Sequence, residues 1–351
     1  MRRALKQFIG RLGEAGLELS GARDGYLLLG NNIGTLRRTR ICLSTMAPGD
    51  FAEMNGARLL VAGIRGLENF HPQFAASSLK SLADKVKPGL VDFAAGEEAV
   101  FSNEPGASLA NYRAAELFAR SDYQKKFIDS LAGFVQKHRP THIALPAVAG
   151  IDKPGPFLKL IAQKLAAPCF ELASTQPSVP GMRLHNALNH AMHDAGITRM
   201  AARAEGFAAT GGKASSVTLR LPDGDSIEVC AKAFILASGK FTAGGLRRDE
   251  FLEETVFGLP VFSEGRPARD MFMYDLVKPK INEKQPIFSC GVKADAAMNA
   301  VDAHGAAIYE NVFCAGSVLG GYDPLRDRCG SGVAVATGFV AGENAARKAG
   351  H

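Results

Sequence analysis

The chain has 351 residues, of which 46% are hydrophobic and 22% are charged. Both fractions are close to globular averages, so they exclude a disordered chain and a small disulfide-stapled one, and the length fits about two domains. There are 41 Lys and Arg residues against 35 Asp and Glu residues. Apart from Arg37, Arg38 and Arg40, the basic residues are spread along the chain, which argues against a nucleic-acid partner.

The six cysteines are widely separated, with no CxxC pair and no Cys/His cluster. This usage predicts reduced cysteines, no metal site and a cytoplasmic location. No apolar run approaches the roughly 18 residues that would span a bilayer. Any membrane association is therefore expected to come through a partner.

An amphipathic pattern occupies the first sixteen residues. Leu5, Phe8, Ile9 and Leu12 have the spacing of one helix face. A signal peptide would need a continuous apolar stretch, which polar residues interrupt here. The pattern therefore predicts a core-facing helix.

The middle of the chain, about 55–175, alternates strand-like and helix-like patterns. Apolar runs predict buried strands from Arg58 and over 142–148. Helical spacing follows or separates them at 73–86, 108–120, 123–138 and 156–165. This order is typical of a parallel sheet covered by helices.

Beyond this unit, a helical pattern ends at Gly196 and three strand-like segments follow. Gly211-Gly212 and Asp223-Gly224 separate these segments. Turn residues between alternating segments predict two β-hairpins.

Glycine is abundant, at 38 residues, and two glycine-containing turns follow apolar strands. The first strand and turn are AFILASG (233–239), and the second are NVFCAG (311–316), followed by a glycine-rich loop and a helix from about Ser331. Ligands bind at the carboxyl ends of such strands, and free N–H groups at a helix start suit phosphate or the electron-rich edge of a flavin. An ordinary glycine-rich turn is the alternative. The predicted cofactor-binding residues are Ser238, Gly239, Gly316, Ser317, Gly320, Gly321, Gly330, Ser331, Gly332 and Val333.

Seven stretches, in order along nearly the whole chain, resemble the B-subunit family of anaerobic glycerol-3-phosphate dehydrogenase. They are IGTLRRT (33–39), VAGIRGLENF (61–70) with AASSL (75–79), GMRLHNAL (181–188), FILASGKFTAGGL (234–246), FGLPVF (257–262) and AGSVLGGYDPLRDRCGSGV (315–333). The resemblance implies a flavoprotein with FMN (or FAD) that oxidises glycerol 3-phosphate to dihydroxyacetone phosphate. It also implies a complex with a sister flavoprotein, the A subunit, and an iron–sulfur protein, the C subunit, which pass electrons towards quinone. The complex would be cytoplasmic and peripheral to the inner membrane, reaching the membrane only through a partner.

The family pattern begins with a strand, a GxGxxG turn and a helix, the unit that holds an ADP pyrophosphate. This sequence contains no GxGxxG. The expected fold class is therefore α/β, a FAD/NAD(P)-binding-type (Rossmann-like) flavoprotein domain that is N-terminally incomplete and carries an inserted second α/β domain. The expected domains are a discontinuous flavin-binding domain (1–40, 181–239 and 285–351), an inserted substrate or interface domain (41–180) and a small connecting segment (240–284).

Two arginines are candidates for binding the substrate phosphate, because a guanidinium can bind a phosphate through two hydrogen bonds. Arg37 lies in the family-like GTLR stretch and Arg183 in the GMRL stretch, and either could instead be structural. Arg326 and Arg328 rank lower. The catalytic base is not identified, although His71, His185, His190 and His193 are available.

Two residues near the glycine turns leave alternatives open. Lys240 could neutralise a reduced flavin or project into solvent, and Cys329 is interpreted as a small packing residue. At the level of the whole chain, the alternatives to an enzyme subunit are a non-catalytic flavin-binding or scaffolding subunit that depends on the sister flavoprotein, and an incomplete fragment without cofactor.

Overall fold

A computed structural model describes residues 1–22, 25–92, 108–174 and 177–350. The chain forms two compact units. We call Ile9–Thr198 the sheet unit and Met1–Phe8 with Arg199–His351 the glycine-loop unit. Helix α1 (Arg2–Glu14) begins in the second and continues into the first.

The predicted N-terminal helix is confirmed by α1. Leu12, from the predicted apolar face, is buried, and so is Ala4. The basic residues Arg2 and Arg3 remain exposed, as expected for an amphipathic helix that packs on one side.

In its described residues, the sheet unit contains eight strands and five further helices. The strands are β1 (Leu19–Gly21), β2 (Leu27–Gly30), β3 (Leu36–Thr39), β4 (Ile41–Leu43), β5 (Arg58–Ile64), β6 (Lys85–Val91), β7 (His142–Pro146) and β8 (Cys169–Leu172). The helices are α2 (Pro72–Leu79), α3 (Asn111–Leu117), α4 (Ser121–His138), α5 (Pro154–Leu165) and α6 (Val179–Asp194).

A four-stranded parallel sheet in the order β6-β5-β7-β8 forms the centre of this unit. Six of the seven residues of β5 are buried, because helices cover the sheet. The parallel sheet predicted for the middle of the chain is confirmed. Two antiparallel pairs, β1–β4 and β2–β3, accompany it.

One predicted helix is wrong in its second half. Helical spacing covered 73–86, but α2 ends at Leu79 and β6 begins at Lys85. The spacing of Leu79, Leu82 and Val86 is that of a helix face, which explains the wrong prediction. β6 contains Pro88, and a proline is tolerated there because β6 is an edge strand. Pairing with β5 therefore outweighs local spacing.

The described part of the glycine-loop unit contains ten short strands and three helices. The strands are β9 (Arg203–Thr210), β10 (Lys213–Arg220), β11 (Ser226–Cys230), β12 (Phe234–Leu236), β13 (Leu246–Arg248), β14 (Leu252–Glu254), β15 (Val261–Ser263), β16 (Arg266–Pro267), β17 (Gly291–Val292) and β18 (Val312–Cys314). The helices are α7 (Met273–Leu276), α8 (Pro286–Ser289) and α9 (Gly332–Ala349).

Strands β9, β10 and β11 form an antiparallel sheet whose turns lie at the predicted Gly211-Gly212 and Asp223-Gly224 positions. Both predicted hairpins are confirmed. β12 and β18 pair in parallel, and α9 packs against them. This pair supports the two glycine turns.

The two units differ in extent from the expected domains. The stretches 9–40 and 181–198 belong to the sheet unit, and 240–284 belongs to the glycine-loop unit. One physical reason is that β2 is tied to the end of β8 by the Ala173 N–H, which donates to the Gly30 carbonyl at 3.0 Å. The division into a flavin-binding and a substrate domain stays a prediction. None of the helices that the structure describes is long and apolar enough to cross a bilayer.

Candidate functional site

The parallel pairing of β12 and β18 places the two predicted glycine turns side by side. Leu236 is opposite Cys314, and the Ala315 N–H donates to the Leu236 carbonyl at 2.9 Å. Ser238-Gly239 and Gly316-Ser317 follow directly. A Cβ atom added to Gly239 would lie 3.6 Å from Ser317 Oγ, so the two turns are neighbours at the carboxyl edge of the strand pair.

The turn after β12 is tight enough to require glycine twice. Gly239 has a φ of 78°, in the left-handed region that disfavours a side chain. A Cβ atom on Gly245 would lie 2.7 Å from the Ser238 carbonyl oxygen. The backbone therefore folds back on itself immediately after the strand.

Gly320 lies where two backbone segments cross. Its N–H donates to the Val292 carbonyl at 3.0 Å, and the Gly321 N–H donates to the Ser289 carbonyl at 2.9 Å. A Cβ atom on Gly291 would lie 2.5 Å from the Val318 carbonyl oxygen. Gly320 and Gly321 thus hold the loop against β17 through backbone contacts.

Helix α9 connects to the second turn through Thr337. The Thr337 hydroxyl accepts a hydrogen bond from the Gly316 N–H at 2.9 Å and donates to the Val333 carbonyl at 2.6 Å. Gly316 has a φ of 73°, and a Cβ atom added to it would lie 3.9 Å from Ala334. The first turn of α9 is therefore adjacent to the turn after β18.

At the start of α9 the Gly332 N–H donates to the Cys329 carbonyl at 3.0 Å, which leaves the N–H groups of Val333 and Ala334 as the available donors. Ser331, the residue before the helix, is exposed and caps none of the first N–H groups with its side chain. Gly330, at φ 51°, turns the chain into this position. First-turn N–H groups and the helix dipole favour a phosphate or an electron-rich oxygen here, and the binding role of 330–333 stays a prediction.

Ser238 gives a further indication of a ligand. Its hydroxyl oxygen is buried and has no hydrogen-bond partner among the described residues. A buried hydroxyl without a partner is costly. The two glycine turns, this hydroxyl and the start of α9 therefore lie close together, in the region where a cofactor is predicted.

The two arginine candidates lie in the sheet unit and differ in availability. Arg37, on β3 opposite Leu29 of β2, is exposed, and its side chain makes no hydrogen bond or ion pair within the described part of the chain. Its side chain is free to bind an anion.

Arg183, on α6, is committed to the protein. Its side chain is 1% exposed, and Nη1 and Nη2 donate to Glu171 at 2.6 and 2.8 Å. Nε donates to the Gly150 carbonyl at 2.9 Å. A phosphate cannot reach this guanidinium in the described conformation, so the structure supports the structural alternative for Arg183.

The histidine candidates are all on the surface. His71, His185, His190 and His193 are exposed. Among the residues that the structure describes, no three His, Cys, Asp or Glu side chains form a possible metal site. His193 lies 3.5 Å from Asp194 Oδ1, but His190 and His193 belong to no such three-ligand group in the described ranges.

Some site residues could not be recognised from the sequence. Gly291 has no motif around it, and Thr337 looks like any helical threonine. For Lys240, the sequence indicates no hydrogen-bond partner, whereas the structure places its ammonium 2.7 Å from the Phe288 carbonyl oxygen. Sequence proximity to Gly239 was the signal for Lys240, whereas Gly291 and Thr337 carried none.

The sequence comparison decides the family. A profile of the FAD binding domain family matches residues 1–333. The chain belongs to this family. Its mixed α/β fold is that of a FAD-binding flavoprotein, and its cofactor is a flavin, as predicted.

Curated relatives of this FAD binding domain are named as the B subunit of anaerobic glycerol-3-phosphate dehydrogenase. The protein from Aliivibrio fischeri is 25% identical over 98% of this chain and 77% of its own length. That from Yersinia enterocolitica is 28% identical over 95% and 75%, respectively. That from Actinobacillus succinogenes is 26% identical over 98% and 79%. The resemblance found in the sequence motifs is confirmed.

Proposed function

We propose that this FAD binding domain belongs to a glycerol-3-phosphate dehydrogenase complex and oxidises glycerol 3-phosphate to dihydroxyacetone phosphate. The observation that carries the proposal is the shared name of relatives that match 94–98% of the chain. Its proposed partners are a sister flavoprotein, the A subunit, and an iron–sulfur protein, the C subunit, which would pass electrons to quinone. Its proposed location is cytoplasmic, peripheral to the inner membrane through a partner.

The proposed division of labour follows the two units. The glycine-loop unit holds the flavin, with FMN as the form implied by the family resemblance. The bound flavin supplies a two-electron acceptor for the alcohol carbon. Ser238, the two glycine turns and the start of α9 bind and orient it. The sheet unit is the proposed substrate or interface domain.

Arg37 is the proposed contact for the substrate phosphate. Its exposed guanidinium has no competing partner in the described part of the chain, and two parallel N–H groups match a phosphate. Arg183 is not proposed for this role because Glu171 occupies its guanidinium.

A second candidate is a flavin-holding protein whose substrate is oxidised on another chain. The burial of Arg183 favours it, because one of the two guanidinium groups expected at the substrate is unavailable. In this case the chain would still bind flavin but would not be reduced directly by glycerol 3-phosphate.

The test is anaerobic addition of glycerol 3-phosphate to the flavin-loaded chain, with the absorbance of the flavin recorded. Bleaching by glycerol 3-phosphate but not by glycerol supports the proposed enzyme. If only a chemical reductant bleaches the flavin, and the substrate acts only after the sister flavoprotein is added, the second candidate is correct. Chromatography of the released cofactor identifies FMN or FAD.

A further inference from the structure

Lys240 is a half-buried cation beside the turn that follows β12. Its ammonium donates to the Phe288 carbonyl at 2.7 Å and lies 5.1 Å from the centre of the Tyr322 ring. An ammonium has three N–H donors, and the Phe288 carbonyl takes one of them. The remaining donors are available to a further acceptor.

No carboxylate forms an ion pair with this ammonium in the described part of the chain. Asp323 is buried nearby, but its Oδ1 accepts hydrogen bonds from the Leu325 and Arg326 N–H groups at 2.9 and 3.3 Å. Several other lysines of this unit pair with a glutamate, namely Lys213, Lys284 and Lys348.

Burial has an electrostatic consequence for this lysine. It lowers the pKa of Lys240, and the acidic groups of Cys290, Asp323 and Cys329 offset only part of that effect. A partly desolvated cation without a carboxylate is unfavourable in isolation. An anion bound at this position would offset that cost.

The position of Lys240 limits which anion can bind. It directly follows Gly239, whose turn lies beside Ser317 and therefore beside the turn that adjoins the start of α9. Glycine turns at the carboxyl ends of parallel strands let a nucleotide phosphate approach the backbone. The free donors of α9 favour the same charge.

We propose that Lys240 binds the phosphate of the flavin nucleotide and so distinguishes flavin nucleotides from riboflavin. The proposal rests on the flavin cofactor of the family and not on glycerol 3-phosphate as substrate. The proposal can therefore be tested independently of the proposed dehydrogenase activity. The sequence left open whether Lys240 projects into solvent or neutralises a reduced flavin. The proposal instead places its ammonium at the phosphate end of the cofactor.

The test compares Lys240→Met with Lys232→Met. Lys232 is a matched control, because its ammonium also donates to a backbone carbonyl, that of Ala349, at 3.1 Å, but on the exposed surface. Dissociation constants for FMN and riboflavin are measured by flavin fluorescence. We expect Lys240→Met to weaken FMN binding about 10- to 100-fold, the range for loss of one charged hydrogen bond, and to leave riboflavin binding unchanged.

Two further variants keep the test decisive. Lys240→Gln removes the charge but can still donate to the Phe288 carbonyl, so it replaces Lys240→Met if that variant does not fold. Lys240→Arg keeps the charge and should retain most of the FMN affinity. Equal losses for FMN and riboflavin, or no loss for FMN, would overturn the proposal. So would unchanged FMN binding with a raised KM for glycerol 3-phosphate, which would assign the ammonium to the substrate.

Discussion

Replacing Arg183 by Met tests whether this arginine is structural. The side chains of Arg183 and Glu171 are 1% and 0% exposed and share two hydrogen bonds. In the variant, Glu171 keeps the Thr45 hydroxyl at 2.7 Å and the Ala149 N–H at 2.9 Å. It loses the only cation that pairs with it in the described residues, and its charge stays buried.

The expected cost follows from the two lost interactions. Each hydrogen bond to a charged group contributes about 1.5–3 kcal/mol, and breaking a buried ion pair on one side costs about 3–5 kcal/mol. With a urea dependence of about 2 kcal/mol per molar, the midpoint for the sheet unit should fall by about 1.5–2.5 M. This is a large part of the stability of a typical domain.

Urea unfolding followed by far-UV circular dichroism measures the effect, since the chain has no tryptophan. The double variant Arg183→Met/Glu171→Gln is the control. The introduced glutamine amide can accept from Ala149 and donate to Thr45 without a buried charge, so at least half of the loss should be recovered. A midpoint shift below about 0.5 M for Arg183→Met, together with weaker phosphate binding, would refute the structural role.

Three further outcomes are expected. Gly291→Ala should prevent flavin binding, because the added Cβ would lie 2.5 Å from the Val318 carbonyl oxygen. Gly338→Ala, whose Cβ would lie in open space on α9, should instead stabilise the protein by about 0.5–1 kcal/mol. Flavin titration and thermal unfolding measure both effects. FMN affinity should fall towards alkaline pH, because burial lowers the pKa of Lys240 and the free protein loses the proton that phosphate binding requires. Lys240→Arg should remove this fall in titrations at several pH values. Arg37→Ala should raise the KM for glycerol 3-phosphate about 10-fold or more without changing stability, while Arg38→Ala, on the opposite face of β3, should leave KM unchanged in steady-state assays.

The parallel sheet could be predicted from the sequence because its inner strands carry a strong local signal. β5 is a continuous apolar run, as expected for a strand covered on both faces. β6 lacks such a run, because it is an edge strand in which the exposed Lys85 and Lys87 alternate with more buried positions. Its apolar residues also match helical spacing. A local pattern cannot decide which neighbour an edge strand will find.

The glycine turns were predictable for the same reason. The residues that define them follow their strands directly, and AFILASG and NVFCAG each contain both strand and turn. The crossing at Gly291 and Gly320 joins segments 29 residues apart in the sequence and leaves no local mark. Likewise, the Phe288 carbonyl that holds Lys240 is 48 residues away.

Arg183 and Lys240 show how a structural cation can be separated from one that awaits a ligand. Both lie in family-like stretches, GMRL and ASGK, and the sequence alone does not distinguish them. Arg183 finds two carboxylate oxygens and a carbonyl within the sheet unit, and that network also fixes the Ala149 N–H through Glu171. A guanidinium whose hydrogen bonds are satisfied in this way has no donors left for substrate.

Lys240, in contrast, contacts only one neutral carbonyl and an aromatic face within the described residues. It lies close to a strand turn where the Ser238 hydroxyl is also without a partner among the described residues. Buried polar groups normally have hydrogen-bond partners. One ligand that bonds to both Lys240 and Ser238 would supply the missing partners at this turn, and we infer that this ligand is the flavin.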